Sequence, residues 1–171
     1  MVRIPESLSP TSGCATGDDN EIAVGIDVSG TRIAVACYSH PGKIKTTCIQ
    51  RLTAGRQYHL IRECLRQVRE EIGDPQAVGI EQPYFGFPKA AYMHGMVVAR
   101  TEDACRAVWP HTPQRFYQPS EWRKAAGMSG RATKDEVREF VTKQFGFAPA
   151  NQDEADAAAI SVAMWVEAFG E

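Results

Sequence analysis

Short apolar runs, cut by turn residues, set out the elements of this chain. Glu21–Val28 reads as a strand, Ser29-Gly30 as a turn, and Arg32–Ser39 as a second strand. Pro41-Gly42 makes another turn before a third strand, Ile44–Leu52. Tight turns between three strands predict an antiparallel meander. The period then changes. Leu60, Ile61, Cys64, Leu65, Val68 and Ile72 recur at helical spacing through Gln57–Ile72, and Gly73-Asp74-Pro75 stops the helix. Gln76–Glu81 is a fourth strand, and a strand-helix-strand link favours parallel pairing with the meander. Gln82–Pro88 is a loop of Pro, Gly and aromatics. Lys89–Val108 reads as a long helix, with Pro110 and Pro113 beyond it, and Arg115–Gln118 as a short fifth strand. Three helical pieces follow: Ser120–Ala126, Lys134–Phe145 and Gln152–Phe169. No internal repeat or low-complexity tract interrupts this order.

Residues 1–20 are rich in Ser, Thr, Pro, Gly and Asp and read as a disordered leader, so the folded domain is expected over 21–171. The 171 residues suit one domain that buries roughly 70% of its unfolded surface. Hydrophobic content of 43% and charged content of 23% are ordinary for a globular protein. No apolar run approaches the ~20 residues of a membrane span. The five cysteines, Cys14, Cys37, Cys48, Cys64 and Cys105, are scattered with no CxxC pair. With no signal-peptide pattern at the N-terminus, a reduced, cytoplasmic protein is expected rather than a zinc ribbon. The net charge of −2 is not the usual footprint of a nucleic-acid binder. A DNA-binding role requires basic residues segregated onto one face.

Four acids in apolar surroundings carry the candidate chemistry. Asp27 ends Ala23-Val24-Gly25-Ile26, and Glu81 ends Ala77-Val78-Gly79-Ile80. Asp153 and Asp156 open the apolar stretch through Trp165 and, three apart on a helix, share a face. A carboxylate in such a run needs a partner or a metal. If strands one and four are adjacent and parallel, Asp27 and Glu81 reach the same sheet end. Oxygen-only ligands suit Mg²⁺ or Mn²⁺ rather than zinc or copper. Two such ions, about 4 Å apart, activate water and stabilise the leaving oxygen in phosphodiester hydrolysis, and Lys134 is placed to neutralise charge on the phosphate. Each residue also has a plainer role. Asp27 suits a turn, Glu81 the start of a loop, Asp153 the positive end of a helix dipole, and Lys124, Lys134 and Arg138 a solvated face. Asp156, among Ala155, Ala157, Ala158, Ala159 and Ile160, fits a plain role least well. The four histidines are dispersed without ligand spacing.

The succession Gly25-Ile26-Asp27, Gly79-Ile80-Glu81-Gln82, Pro119-Ser120-Glu121-Trp122-Arg123-Lys124, Gly130-Arg131-Ala132-Thr133-Lys134-Asp135-Glu136-Val137 and Asn151-Gln152-Asp153-Glu154-Ala155-Asp156-Ala157 resembles the RuvC family of Holliday junction resolvases over residues 22–165. The specific part is the combination in this order of Ile-Glu-Gln, Ala-x-Lys-x-x-Val and Asp-x-x-Asp-Ala. The element order is that of the RNase H-like fold: a five-stranded mixed sheet, with the three-strand meander plus two parallel strands, flanked by helices. The resemblance implies catalytic, metal-holding carboxylates at Asp27, Glu81, Asp153 and Asp156, phosphate-facing Lys124 and Lys134, and a homodimer that nicks two strands of branched DNA symmetrically. Arg131, in the basic segment, and Tyr84 and Phe85, in the loop after Glu81, are the expected further DNA contacts. Tyr84 stands where the family carries a wedge that stacks on an unpaired base.

Other readings stay open at this level. An RNase H-fold nuclease acting on RNA, RNA–DNA hybrids or simple flaps would need the same carboxylates. Gly25-Ile26-Asp27-Val28-Ser29-Gly30-Thr31 resembles the first phosphate loop of sugar kinases and actin-like ATPases, but those need two lobes and a second glycine-rich site. A non-catalytic DNA-binding relative would be expected to have lost one of the acids.

Overall fold

A computed structural model describes residues 21–39, 43–53, 55–82, 88–146 and 148–170. The strands are β1 (Ile22–Val28), β2 (Arg32–Ser39), β3 (Lys43–Arg51), β4 (Ala77–Glu81) and β5 (Gln114–Tyr117). The helices are α1 (Gln57–Ile72), α2 (Pro88–Val108), α3 (Pro119–Ala125), α4 (Lys134–Phe145) and α5 (Gln152–Phe169). The strands form one mixed sheet in the order β3-β2-β1-β4-β5. β1–β2 and β2–β3 are antiparallel, with a bulge between Val35 and Ala36, while β1–β4 and β4–β5 are parallel. This is the expected RNase H-like architecture. The expected leader over residues 1–20 lies outside the described residues, as do Tyr84 and Phe85.

Local chemistry explains where the helices begin and end. Thr133 caps α4 by accepting from Glu136 N, and the Glu136 carboxylate returns to Thr133 N at 2.6 Å, a reciprocal capping box. Gly146, at φ 62°, closes that helix in the left-handed conformation. Asn151 caps α5 by accepting from Glu154 N at 3.0 Å. Gln57 is buried at the start of α1, where its amide donates to Gly30 O at 3.0 Å and accepts from Arg100 of α2. One glutamine thus ties the β1–β2 turn to both helices.

The sheet separates two apolar layers, and the period of two in β1 and β4 decides what each layer receives. Val24, Ile26, Val78 and Ile80 pack toward α1 and α2, with Leu65, Val68 and Trp109. Ala23 and Ala77 lie in the other layer, with the alanine-rich face of α5 and with Trp122, Val137 and Tyr117. Gly25 and Gly79 are paired across β1 and β4 beneath α5. A Cβ built on Gly25 would stand 2.2 Å from Ala157 O and 2.3 Å from Ser161 N, both backbone atoms. Helix α5 therefore lies directly on the sheet backbone, which only glycine in β1 and small residues in the helix allow.

One expectation is corrected. Cys37 and Cys105 are free, but Cys64, fully buried on α1, is disulfide-bonded. The cysteines are therefore not all reduced. Among the described residues no helix is long and apolar enough to cross a membrane.

Candidate active site

The same alternation that puts Gly25 and Gly79 under α5 carries on by one more step of two. Asp27 and Glu81 follow on that face at the carboxyl ends of β1 and β4. The register, with Ile26 opposite Ile80, brings them to one edge of the sheet. Asp153 and Asp156 come to this edge from the first turns of α5, because α5 is seated on the two glycines just behind them. All four carboxylates are only partly exposed.

Their electrostatics show the convergence. Burial pushes the Asp27 carboxyl well above the ordinary range, and the charges of Glu81, Asp156 and Asp153 push it further, against a smaller opposing pull from Lys134. Glu81 is pushed up to about 7, first by burial and then by Asp156. The Trp122 indole opposes this by donating to Glu81 Oε2 at 2.8 Å, and the charges of Arg123 and Lys134 also lower it. Burial raises Asp156 as well, partly offset by the Gln152 amide, which donates to its Oδ1 at 2.7 Å, and by Arg123 and Lys134. Asp153 forms an ion pair with Arg32 at 3.0 Å (Nε to Oδ2). That oxygen is buried and has no well-directed hydrogen bond, so the contact is one of charge more than of geometry.

The third acid in this turn has a different task. Glu154 is buried, and its carboxylate accepts from Ala150 N, closing the turn that leads into α5. Capping thus engages Glu154 and leaves its neighbours Asp153 and Asp156 at the sheet edge.

The donor set fits a hard divalent cation in kind: several oxygens, no sulfur or imidazole, and mutual repulsion that a cation would relieve. Among the described residues no three acids, histidines or cysteines close into a group that could hold an ion. The carboxylates are gathered within electrostatic reach of one another but not drawn into a coordination shell.

Of the basic residues singled out from sequence, Lys134 begins α4, is exposed, and acts on Asp27, Glu81 and Asp156. Lys124 is exposed on α3, with its Cε beside Gly130, and its charge is not among the main influences on Asp27, Glu81 or Asp156. Arg131 is exposed in the α3–α4 connection. Sequence reasoning missed Trp122, Arg123, Gln152 and Arg32. A buried Trp indole N–H needs an acceptor, so Trp122 within a motif already of interest was the available cue. The Arg32–Asp153 pair is a tertiary contact with no such signal.

A mixed sheet in this order, with an acid edge beneath the start of α5, defines an RNase H-like domain. Comparison with known proteins makes the likeness particular. No family model matches the chain. Crossover junction endodeoxyribonuclease RuvC of Anaeromyxobacter sp. (strain Fw109-5) is 29% identical over 148 residues, spanning 82% of this chain and 71% of that protein. Thermus thermophilus RuvC superposes with a TM-score of 0.67 at 23% identity, over 87% of this chain and 96% of that one. The same protein in complex with a Holliday junction substrate gives 0.72 at 21% identity, over 88% and 97%. The yeast mitochondrial Holliday junction resolvase Ydc2 gives 0.52 at 12% identity, over 86% and 80%. The fold is that of RuvC, and the motif resemblance is matched by a relative of that name.

Proposed function

We propose that the chain is a metal-dependent, structure-selective endodeoxyribonuclease that resolves Holliday junctions or other branched DNA by nicking two strands symmetrically. The observation that carries this reading is the gathering of Asp27, Glu81, Asp153 and Asp156 at one edge of a RuvC-like fold. Asp27, Glu81, Asp153 and Asp156 are the residues that would hold Mg²⁺ or Mn²⁺. Bound there, such ions would supply an ionised water and Lewis-acid stabilisation of the leaving oxygen. The chain's own part is to keep those carboxylates together against their repulsion. Trp122 and Gln152 orient two of them by hydrogen bonds, and Lys134 presents positive charge where a phosphate would meet the acids. Arg131 and Lys124, both exposed, would contact the DNA backbone away from the acids.

Matched four-way junction, flap, duplex and RNA–DNA hybrid substrates with Mg²⁺ test this reading. Paired nicks across the junction are expected, with the other substrates cut more slowly. Preferential cutting of hybrids or flaps would replace it with the broader RNase H-type nuclease. Lys134→Ala should lower turnover by about 10²-fold, a size usual for a group acting at the reacting centre, with a smaller loss of junction binding. An unchanged rate would remove Lys134 from the site.

A homodimer suits the approximate two-fold symmetry of a four-way junction. Support comes from α2, where Tyr92 is 68% and Met93 48% exposed, an apolar surface left open to solvent. Light scattering at micromolar concentration should give twice the chain mass. A monomer both free and bound to junction would count against symmetric nicking.

A further inference from the structure

The acid edge already holds one cation of the chain's own. In β2, Ile33 belongs to the layer against α1, and Ala34 to the layer against α5. The same alternation puts Arg32 on the α5 face, which also carries Asp27. Ala34 is paired with Asp27, so Arg32, two residues earlier, stands at the end of the sheet where the acids gather. There its Nε lies 3.0 Å from Asp153 Oδ2. Among the described residues no other cation forms an ion pair with Asp27, Glu81, Asp153 or Asp156. Lys134 and Arg123 act on the acids through charge without such a contact. The pair is loose at one end and fixed at the other. Asp153 Oδ2 is buried with no hydrogen-bond partner among the described residues, whereas the Arg32 side chain is 52% exposed. The backbone of Arg32 is held: its N–H donates to Ser29 Oγ at 3.0 Å, and its carbonyl accepts from Ser29 N at 2.8 Å. The guanidinium can therefore leave for water while its root stays in place.

We propose that Arg32 is a positioning residue that holds Asp153 in place of a divalent cation and gives it up when the cation binds. The proposal rests on the metal-dependent nuclease reading above. Four carboxylates at one edge repel one another, and in the metal-free protein a guanidinium offsets part of that charge. A hard divalent ion offsets more and bonds carboxylate oxygen directly. An ion pair this exposed is weak, so it yields to such an ion. Asp153 Oδ2 is shielded from water, and Arg32 and the ion compete for it. Two consequences follow from that competition. Arg32 stabilises the metal-free fold, and it weakens the first encounter of Asp153 with metal. Arg32 acts through Asp153 alone and has no contact with the reacting atoms.

The test uses Ca²⁺ and no DNA, so that binding is read without turnover. Calorimetric titration and melting curves in EDTA and in Ca²⁺ compare wild type with Arg32→Ala and Arg32→Gln. Asp153→Asn, with and without Arg32→Ala, closes a double-mutant cycle. Arg32→Ala should bind Ca²⁺ about five-fold more tightly, the competition lost with a part-exposed ion pair. Arg32→Gln should shift the same way, and it serves alone if the alanine variant does not fold. Either variant should melt below wild type in EDTA, and the gap should close in Ca²⁺. A merely structural arginine would leave the same gap in both. In the Asp153→Asn background the removal of Arg32 should leave Ca²⁺ affinity unchanged. Affinity that stays the same or weakens in the Arg32 variants would overturn the exchange, as would a tightening that persists without the Asp153 carboxylate. If wild type and variants alike took up no Ca²⁺, the metal reading of the acids would fall and the exchange with it. A wild-type protein that binds Ca²⁺ with no Arg32 difference overturns the exchange alone.

Discussion

Glu81→Gln is expected to abolish cleavage and, in the absence of divalent metal, to make the protein more stable at neutral pH. The two effects have one cause. Burial, with the charge of Asp156, raises the Glu81 carboxyl from its ordinary 4.5 to about 7. The folded state therefore holds this proton more tightly than the unfolded chain does. Stability conferred by the protonated form is complete below about 4.5, is lost as pH rises to about 7, and stays lost above it. The difference corresponds to about 3 kcal/mol, since one pKa unit is about 1.4 kcal/mol. Glutamine carries no charge to bury and still offers an oxygen to the Trp122 indole. In EDTA at pH 8 the variant should melt higher by on the order of 10 °C, for a domain of this size. The gap should close near pH 4.5. Asp27→Asn should behave in the same direction, as its carboxyl is raised by burial and by three neighbouring acids. Thermal melts across pH without metal, beside single-turnover cleavage with Mg²⁺, check both halves. A metal-free variant less stable than wild type at pH 8, or one that nicks at the wild-type rate, would remove Glu81 from the acid cluster.

Gly25→Ala should be among the most damaging single-methyl changes in the chain. The new Cβ would meet Ala157 O and Ser161 N, backbone of α5 that cannot rotate away. Either the helix lifts or the strand shifts, at a cost of about 3 kcal/mol or more, the upper range for overpacking. Lifting α5 also withdraws Asp153 and Asp156 from the sheet edge, so cleavage should fall further than stability alone explains. Gly79→Ala offers the control. Its Cβ would meet Ile160 Cγ2 and Tyr117 Cε2 at 3.0 Å, and side chains can give way. Denaturant melts of the two variants should separate them clearly. Equal, small losses would mean that α5 is not seated on the sheet backbone as described.

The architecture was legible wherever a local rule was strong. Helices α1, α4 and α5 begin and end at the residues that the apolar period, the Thr133 and Asn151 caps and the glycines Gly73 and Gly146 select. The acids were legible because each closes or opens an apolar run, where a charge needs a reason. The parallel pairing of β1 and β4 followed from the helical connection between them. Less was legible where tertiary geometry chooses between neighbours. Arg123 and Lys124 are adjacent cations on a helix of seven residues, and the burial of Trp122 decides which one turns to the acids. The resemblance drew attention to Lys124, since a motif marks a position in the chain and not a direction in space. The Arg32–Asp153 ion pair likewise joins segments far apart in sequence, with no periodic trace.

The strand order has a consequence for how the domain opens. β1 and β4 are interior strands, each hydrogen-bonded on both sides, while β3 and β5 are edges. Amides at sheet edges exchange with solvent through local fraying, whereas those of doubly paired, fully packed strands exchange through rarer and larger openings. Asp27 and Glu81 are thus attached to the segments that open least often. The molecule can breathe at its margins while the two strands that carry the acids keep their register.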